Sequence, residues 1–147
     1  MMVSAGAVVG QRGGSDITRG EPDISVYAPN AEVLPGSDTS VEMQIQNKGD
    51  LGFGNRADEV LTARSVSVNV TDEGPFDVRT GRTAVGTVQD GSLTTVPFRF
   101  VTAEDIEPGT YDVEVRVRYS YVRQASSISG QQRQSTSEEH TIKVRVV

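Results

Sequence analysis

His140 is the only histidine in the chain, so any mechanism that needs an imidazole base or ligand must run through it. It shares parity with Ile142, Val144 and Val146, and a strand there turns its ring toward a core. That placement reads as a core-edge imidazole and not as a ligand or general base. No cysteine is present, which excludes thiol nucleophiles and cysteine zinc sites. No Gly-x-Ser-x-Gly supplies a nucleophile elbow for a serine triad. The carboxylates gather near turns, as Asp50 with Asp58 and Glu59, Asp72 with Glu73 and Asp77, and Glu104 with Asp105 and Glu107. Calcium needs roughly six to eight converging oxygens, and none of these runs has the Asp-x-Asp-x-Asp-Gly spacing that brings them together. Paired-carboxylate glycoside hydrolysis needs a cleft that raises one pKa, and the pattern builds none. The acids therefore read as a solvated rim, with single members such as Asp58, Asp90 and Glu107 dispensable. The chain is read as lacking catalytic, cofactor-binding and metal-binding residues.

One modification site is legible. Asn69-Val70-Thr71 is the only Asn-x-Ser/Thr sequon. Val66, Val68 and Val70 take one face of a strand, so Asn69 points to the other, near the strand end and beside the turn Asp72-Glu73-Gly74-Pro75. Asn69 is the glycosylation candidate. Residues 123–137 (RQASSISGQQRQSTS) are polar and low in complexity, which predicts a mobile hairpin loop; the alternative is a partner-contacting or O-glycosylated loop. Without tryptophan, and with most Phe and Tyr at inward parity, only Tyr27 and Phe53 are expected to be exposed as platforms for sugars.

The elements that must position these residues are strands. Residues 23–28 form the first, with Ile24 and Val26 on one face, and residues 40–47 the second, entered by the turn at Leu34-Pro35-Gly36. A glycine-rich irregular connection, 51–59, leads to the strand of Val66, Val68 and Val70. Short pieces at 76–79 and 83–88 follow. Val96, Phe98 and Phe100 then face inward from a strand whose outward Pro97 marks an edge or a locally unpaired position. The turn at Pro108-Gly109 feeds the longest strand, 111–122, and residues 140–146 make the last. Residues 103–107 offer at most one helical turn. This predicts an all-β, immunoglobulin-like antiparallel β-sandwich of seven to eight strands over residues 21–147.

Length and charge bound the rest. The 147 residues suit one domain able to bury a core without staples. A formal charge of −6 disfavours a nucleic-acid partner, because neutralising phosphates takes clustered Lys and Arg. Lysine occurs only at Lys48 and Lys143, and acid excess with scarce lysine is a weak signal of a high-salt, halophilic habitat. Residues 1–10 (MMVSAGAVVG) are apolar over about half the ~20 residues of a membrane span, so no span is expected in this chain. They read either as the end of a signal peptide, with Ala5-Gly6-Ala7 near a cleavage site, or as a disordered start. Residues 1–20 together are taken as a flexible leader or signal-peptide remnant.

Leu34-Pro35-Gly36, the exit Asn47-Lys48-Gly49-Asp50, Val85-Gly86-Thr87-Val88 with Asp90-Gly91, and Glu107-Pro108-Gly109-Thr110-Tyr111 occur in an order that carries a resemblance. From residue 22 to 147 the chain resembles the immunoglobulin-like repeat domains of archaeal S-layer-related and cell-adhesion-related (CARDB-like) exported proteins. The resemblance implies a non-catalytic extracellular or cell-surface module with a structural, spacing or adhesion role. Its partners would be other cell-surface protein modules or polysaccharide. The alternative is an accessory polysaccharide-binding module of an exported enzyme. Charge also predicts a register for the last two strands. Opposing Asp112 to Arg145, Glu114 to Lys143 and Arg118 to Glu139 gives three attractive pairs, whereas a slip that opposes Arg116 to Arg145 is repulsive.

Overall fold

The computed structural model describes residues 17–126 and 130–147. Residues 1–16, which include most of the expected leader and its cleavage neighbourhood, lie outside them. In chain order the elements are β1 (Thr18–Glu21), β2 (Ile24–Tyr27), β3 (Glu32–Val33), β4 (Asp38–Asn47), β5 (Asp50–Phe53), a single helical turn α1 (Ala57–Val60), β6 (Ala63–Asp72), β7 (Asp77–Val78), β8 (Thr83–Val88), β9 (Leu93–Val101), β10 (Gly109–Ser126) and β11 (Gly130–Val146). The protein is all-β, a sandwich of two sheets. One has the order β2-β4-β9-β7; in the other, β10 pairs along one side with β11 and along the other with β6 and then β1, while β8 extends β6, β5 extends β1 and β3 lies parallel to the end of β11.

Period-two alternation sets the faces. Val41, Met43, Ile45, Val96, Phe98 and Phe100 of the smaller sheet bury against Val66, Val68, Val113, Val115, Val117, Ile142 and Val144 of the larger. Phe76 closes the core beside Phe100 and meets Tyr111 edge to face, with centroids 5.8 Å apart. Buried Asn47 knits the lower end. Its carboxamide nitrogen donates to the Leu61 (2.7 Å) and Val88 (3.0 Å) carbonyls, and its side-chain oxygen accepts from the Asp23 N–H.

Eight of these strands occupy the expected positions, and the departures have physical reasons. The end of the expected leader (1–20), Thr18 to Gly20, belongs to strand β1 (Thr18–Glu21), and Thr18 is fully buried. The irregular connection contains β5 and α1, while residues 103–107 hold no helix. The expected polar loop at 123–137 is, in its described part, a continuation of β10 and β11. These two strands have 18 and 17 residues against 10 in β4, so the hairpin overhangs the smaller sheet by about 26 Å of extended chain. Residues 123–137 are almost wholly polar in sequence, so no apolar alternation marked them as strand.

The register also differs from the charge-based expectation. Parity holds, but Asp112 opposes Lys143, Arg116 opposes Glu139, and Thr110 opposes Arg145. Arg145 finds its carboxylate on the other side, in Glu32 of the parallel strand β3 (3.3 Å), which leaves Asp112 to Lys143 (2.6 Å). Every odd-sum register satisfies the apolar faces, so β3, invisible in the charge count, decides among them. A bulge between Val122 and Gln124 then shifts the pairing by one residue. It leaves Val122 and Ala125 together on the outer face, where they pack under Val60 and Leu61 in a second small core.

Candidate functional site

The overhang lines a cleft. On the face continuous with the main core, the pattern turns polar past Val117: Tyr119 and Tyr121 from β10, with Gln134, Glu138 and His140 from β11. The two tyrosine rings lie 6.1 Å apart, and the Tyr119 hydroxyl donates to Glu138 Oε2 at 3.3 Å. Arg19 and Glu21 of β1 and Asp50 of β5 close the other side of a cleft of about 360 Å3, whose floor includes Tyr121 and Gln124. Arg19 Nε donates to Gln124 Oε1 at 2.7 Å. Phe53, 51% exposed, stands opposite Arg19 on the edge strand.

The side chains on this face offer hydrogen-bonding groups. Burial pushes the Tyr119 hydroxyl well above the usual tyrosine range, and the charge and hydrogen bond of Glu138 push the same way. Burial and the charge of Glu21 raise Tyr121 as well. Both phenols are therefore neutral donors at physiological pH. His140 Nε2 lies 3.4 Å from Glu138 Oε1, opposite Val115 at the core edge, where parity placed it.

The acidic clusters are used locally. Asp72 Oδ1 accepts from the Gly74 N–H, Glu73 Oε1 accepts from the Val78 N–H at 2.6 Å, and Asp77 pairs with Arg79 at 2.8 Å. Asp90, read as dispensable, accepts the Gly49 N–H at 2.8 Å and so holds the turn around Asn47. Among the described residues no group of three or more His, Asp and Glu is arranged to hold a metal ion.

Asn69 lies on β6 opposite Arg116 of β10, three residues before the strand ends, and is half-buried. The hydroxyl of Thr71 in the same sequon donates to Glu139 Oε2 at 3.0 Å. Glu139 also accepts from Arg116 at 2.7 and 3.0 Å, and these hydrogen bonds hold its carboxyl below the usual glutamate range. Asp38, bonded in the same way by Arg99 on the smaller sheet, is lowered too. Further along the outer face, Ser65, Ser120, Ser135 and Ser137 line an open, hydroxyl-rich groove of about 420 Å3. Among the described residues Tyr27 (46% exposed) and Phe53 are the exposed aromatics, the two expected from the sequence.

Sequence reasoning missed the cleft because its walls come from β1, β5 and β10, which long-range pairing alone brings together. It missed the role of Asn47 because one asparagine at a strand exit carries no pattern.

No family model matches this chain, and no curated protein matches it. Among solved structures the chain is similar to the crystal structure of Spo0M, a sporulation control protein from Bacillus subtilis, with 15% identity and a TM-score of 0.29. The alignment covers 87% of this chain and 49% of that one, so the chain spans about half the length of that protein. A likeness at that level carries no argument about fold detail or function.

Among the described residues no helix is long and apolar enough to cross a membrane.

Proposed function

We propose that this chain is a non-catalytic, immunoglobulin-like module of an exported or cell-surface protein, serving as a structural, spacing or adhesion unit of the archaeal surface-protein kind that its sequence resembles. The strand order supports the immunoglobulin-like reading. The sheet β2-β4-β9-β7 corresponds in sequence order to strands A, B, E and D of that fold, and β11-β10-β6 to G, F and C. The observation that carries the reading furthest is Tyr111. At the start of the F-like strand, its hydroxyl donates to the Glu107 carbonyl four residues upstream at 2.7 Å, the bond of a tyrosine corner. The module role draws support from how charge is spent: carboxylates cap turns and pair with arginines across strands, and Tyr119 donates to Glu138 as a neutral phenol. Asn69 fits this role as a glycan site on the outer face. Fractionation of cells that make the native protein tests the placement. The chain is expected at the cell surface or in the medium, accessible to added protease; confinement to the cell interior would overturn it.

A second reading, a polysaccharide-binding accessory module, is favoured by one feature, the cleft of Arg19, Tyr121 and Gln124, with exposed Phe53 paired to Arg19 on the adjoining strand. Binding to immobilised polysaccharides that is lost in Phe53→Ala and Arg19→Ala would support it. Absence of binding across neutral and acidic glycans would sink it.

A further inference from the structure

Strand β11 has an open edge. The Arg145 N–H donates to the Ala31 carbonyl (2.8 Å) and the Val147 N–H to the Val33 carbonyl (3.1 Å), so the odd-numbered backbone groups of β11 point away from β10. Strand β3 covers only Arg145 and Val146. Over residues 131–141 the outward N–H and C=O groups have no strand partner among the described residues. A long row of this kind is a template for another strand unless something blocks it. The same chain does block its other long edge. Arg99 of β9 donates to Thr80 Oγ1 and accepts from the Arg79 N–H, so odd residues of β9 face that edge, and Pro97 stands there without an N–H. Residues 131–141 (QQRQSTSEEHT) contain no proline, glycine or lysine.

From this edge we infer that the chain dimerises by antiparallel pairing of β11 with β11 of a second copy, about a two-fold axis at Thr136. The segment is self-complementary around that residue. Folding it back on itself sets Arg133 against Glu139, Gln134 against Glu138 and Ser135 against Ser137, each twice by symmetry. Paired residues share parity, so the two core faces lie on one side and the two larger sheets become one. Arg133 takes part in no ion pair among the described residues, and Glu139, already bonded to Arg116 and Thr71, keeps lone pairs for a second guanidinium. Sliding the axis to Ser135 or Ser137 removes the Arg133–Glu139 opposition, and sliding it to Glu138 or Glu139 sets glutamates against each other. Charge therefore selects Thr136. Asn69 lies on β6, on the far side of β10 from this edge, so a glycan there leaves the edge open. The pairing holds wherever the protein resides.

The register makes the test specific. Even-numbered backbone groups of β11 point to β10, so Thr136 and its symmetry mate form a non-hydrogen-bonded pair with close Cβ atoms, a geometry a disulfide can span. In the full chain, which has no cysteine, Thr136→Cys is expected to form a disulfide-linked dimer under mild oxidation, while Gln132→Cys is not. Sedimentation analysis should find the wild-type dimeric. Ser137→Pro, which removes an outward N–H and no bond to β10, should be a folded monomer. Arg133→Glu, which leaves the fold untouched, should weaken the dimer roughly tenfold or more. A monomeric wild-type up to its solubility limit, cross-linking at Thr136→Cys no faster than at Gln132→Cys, or a dimer indifferent to Arg133→Glu would each overturn the proposal.

Discussion

Asn47 shows how one polar residue organises a largely apolar fold. Its side chain makes two buried hydrogen bonds, to the residue after α1 and to the end of β8, and a part-buried one to the entry of β2. Asn47→Ala leaves those partners unsatisfied, and each buried orphan costs about 1–3 kcal/mol, so a loss of about 3 kcal/mol or more is expected in denaturant unfolding. Gly54 is equally constrained. Its φ is +104°, and a Cβ there would lie 2.5 Å from the Thr18 Cα and 2.7 Å from the Ile17 carbonyl oxygen, so Gly54→Ala should loosen β1. The tyrosines give a pH signature. Tyr119 is raised above its unfolded value, so its contribution to stability is fully present below about pH 10 and is lost as pH climbs through the folded pKa. Spectrophotometric titration should show it ionising only as the fold opens, and Tyr119→Phe should remove that component. Ordinary titration of Tyr119 in the folded protein would contradict the burial argument.

At the scale of elements, strands were legible wherever an opposing layer imposed alternation. That Val113, Val115 and Val117 share the inward face with Ile142 and His140 was readable from parity alone, and so was the face of Asn69. The ends of β10 and β11, together with β1 and β5, were not, because they lie beyond the smaller sheet, where polar residues can occupy both faces. The register was half legible: parity followed from the valines, but Arg145 turned to Glu32 on β3, a partner brought close only by the folded topology. Two cross-strand charge pairs, Glu139 with Arg116 in the hairpin and Asp38 with Arg99 in the smaller sheet, carry an acid dependence. Glu139 and Asp38 have folded pKa values below their unfolded ones, so their contribution is present above about pH 4 and is lost as pH falls through the lower folded values. Arg116→Gln should bring the Glu139 carboxyl, followed by NMR titration, back toward the usual glutamate range.

For the whole molecule, stability resides in the interface between the two sheets. Phe98 is fully buried there, and Phe98→Ala should cost about 3–5 kcal/mol, whereas Asp58→Ala and Glu107→Ala, both on the surface, should stay within about 0.5 kcal/mol. Equal losses at the two kinds of position would place the organising contacts elsewhere. The proposed surface role predicts that the sequon at Asn69, on the outer face of β6, carries a glycan. The direct test is the intact mass of the native protein recovered from the surface or culture fraction of cells that make it, beside an Asn69→Gln form. The expected result is a chain heavier than its polypeptide by a glycan that the Asn69→Gln form lacks; an unmodified chain found only inside the cell would contradict the surface assignment.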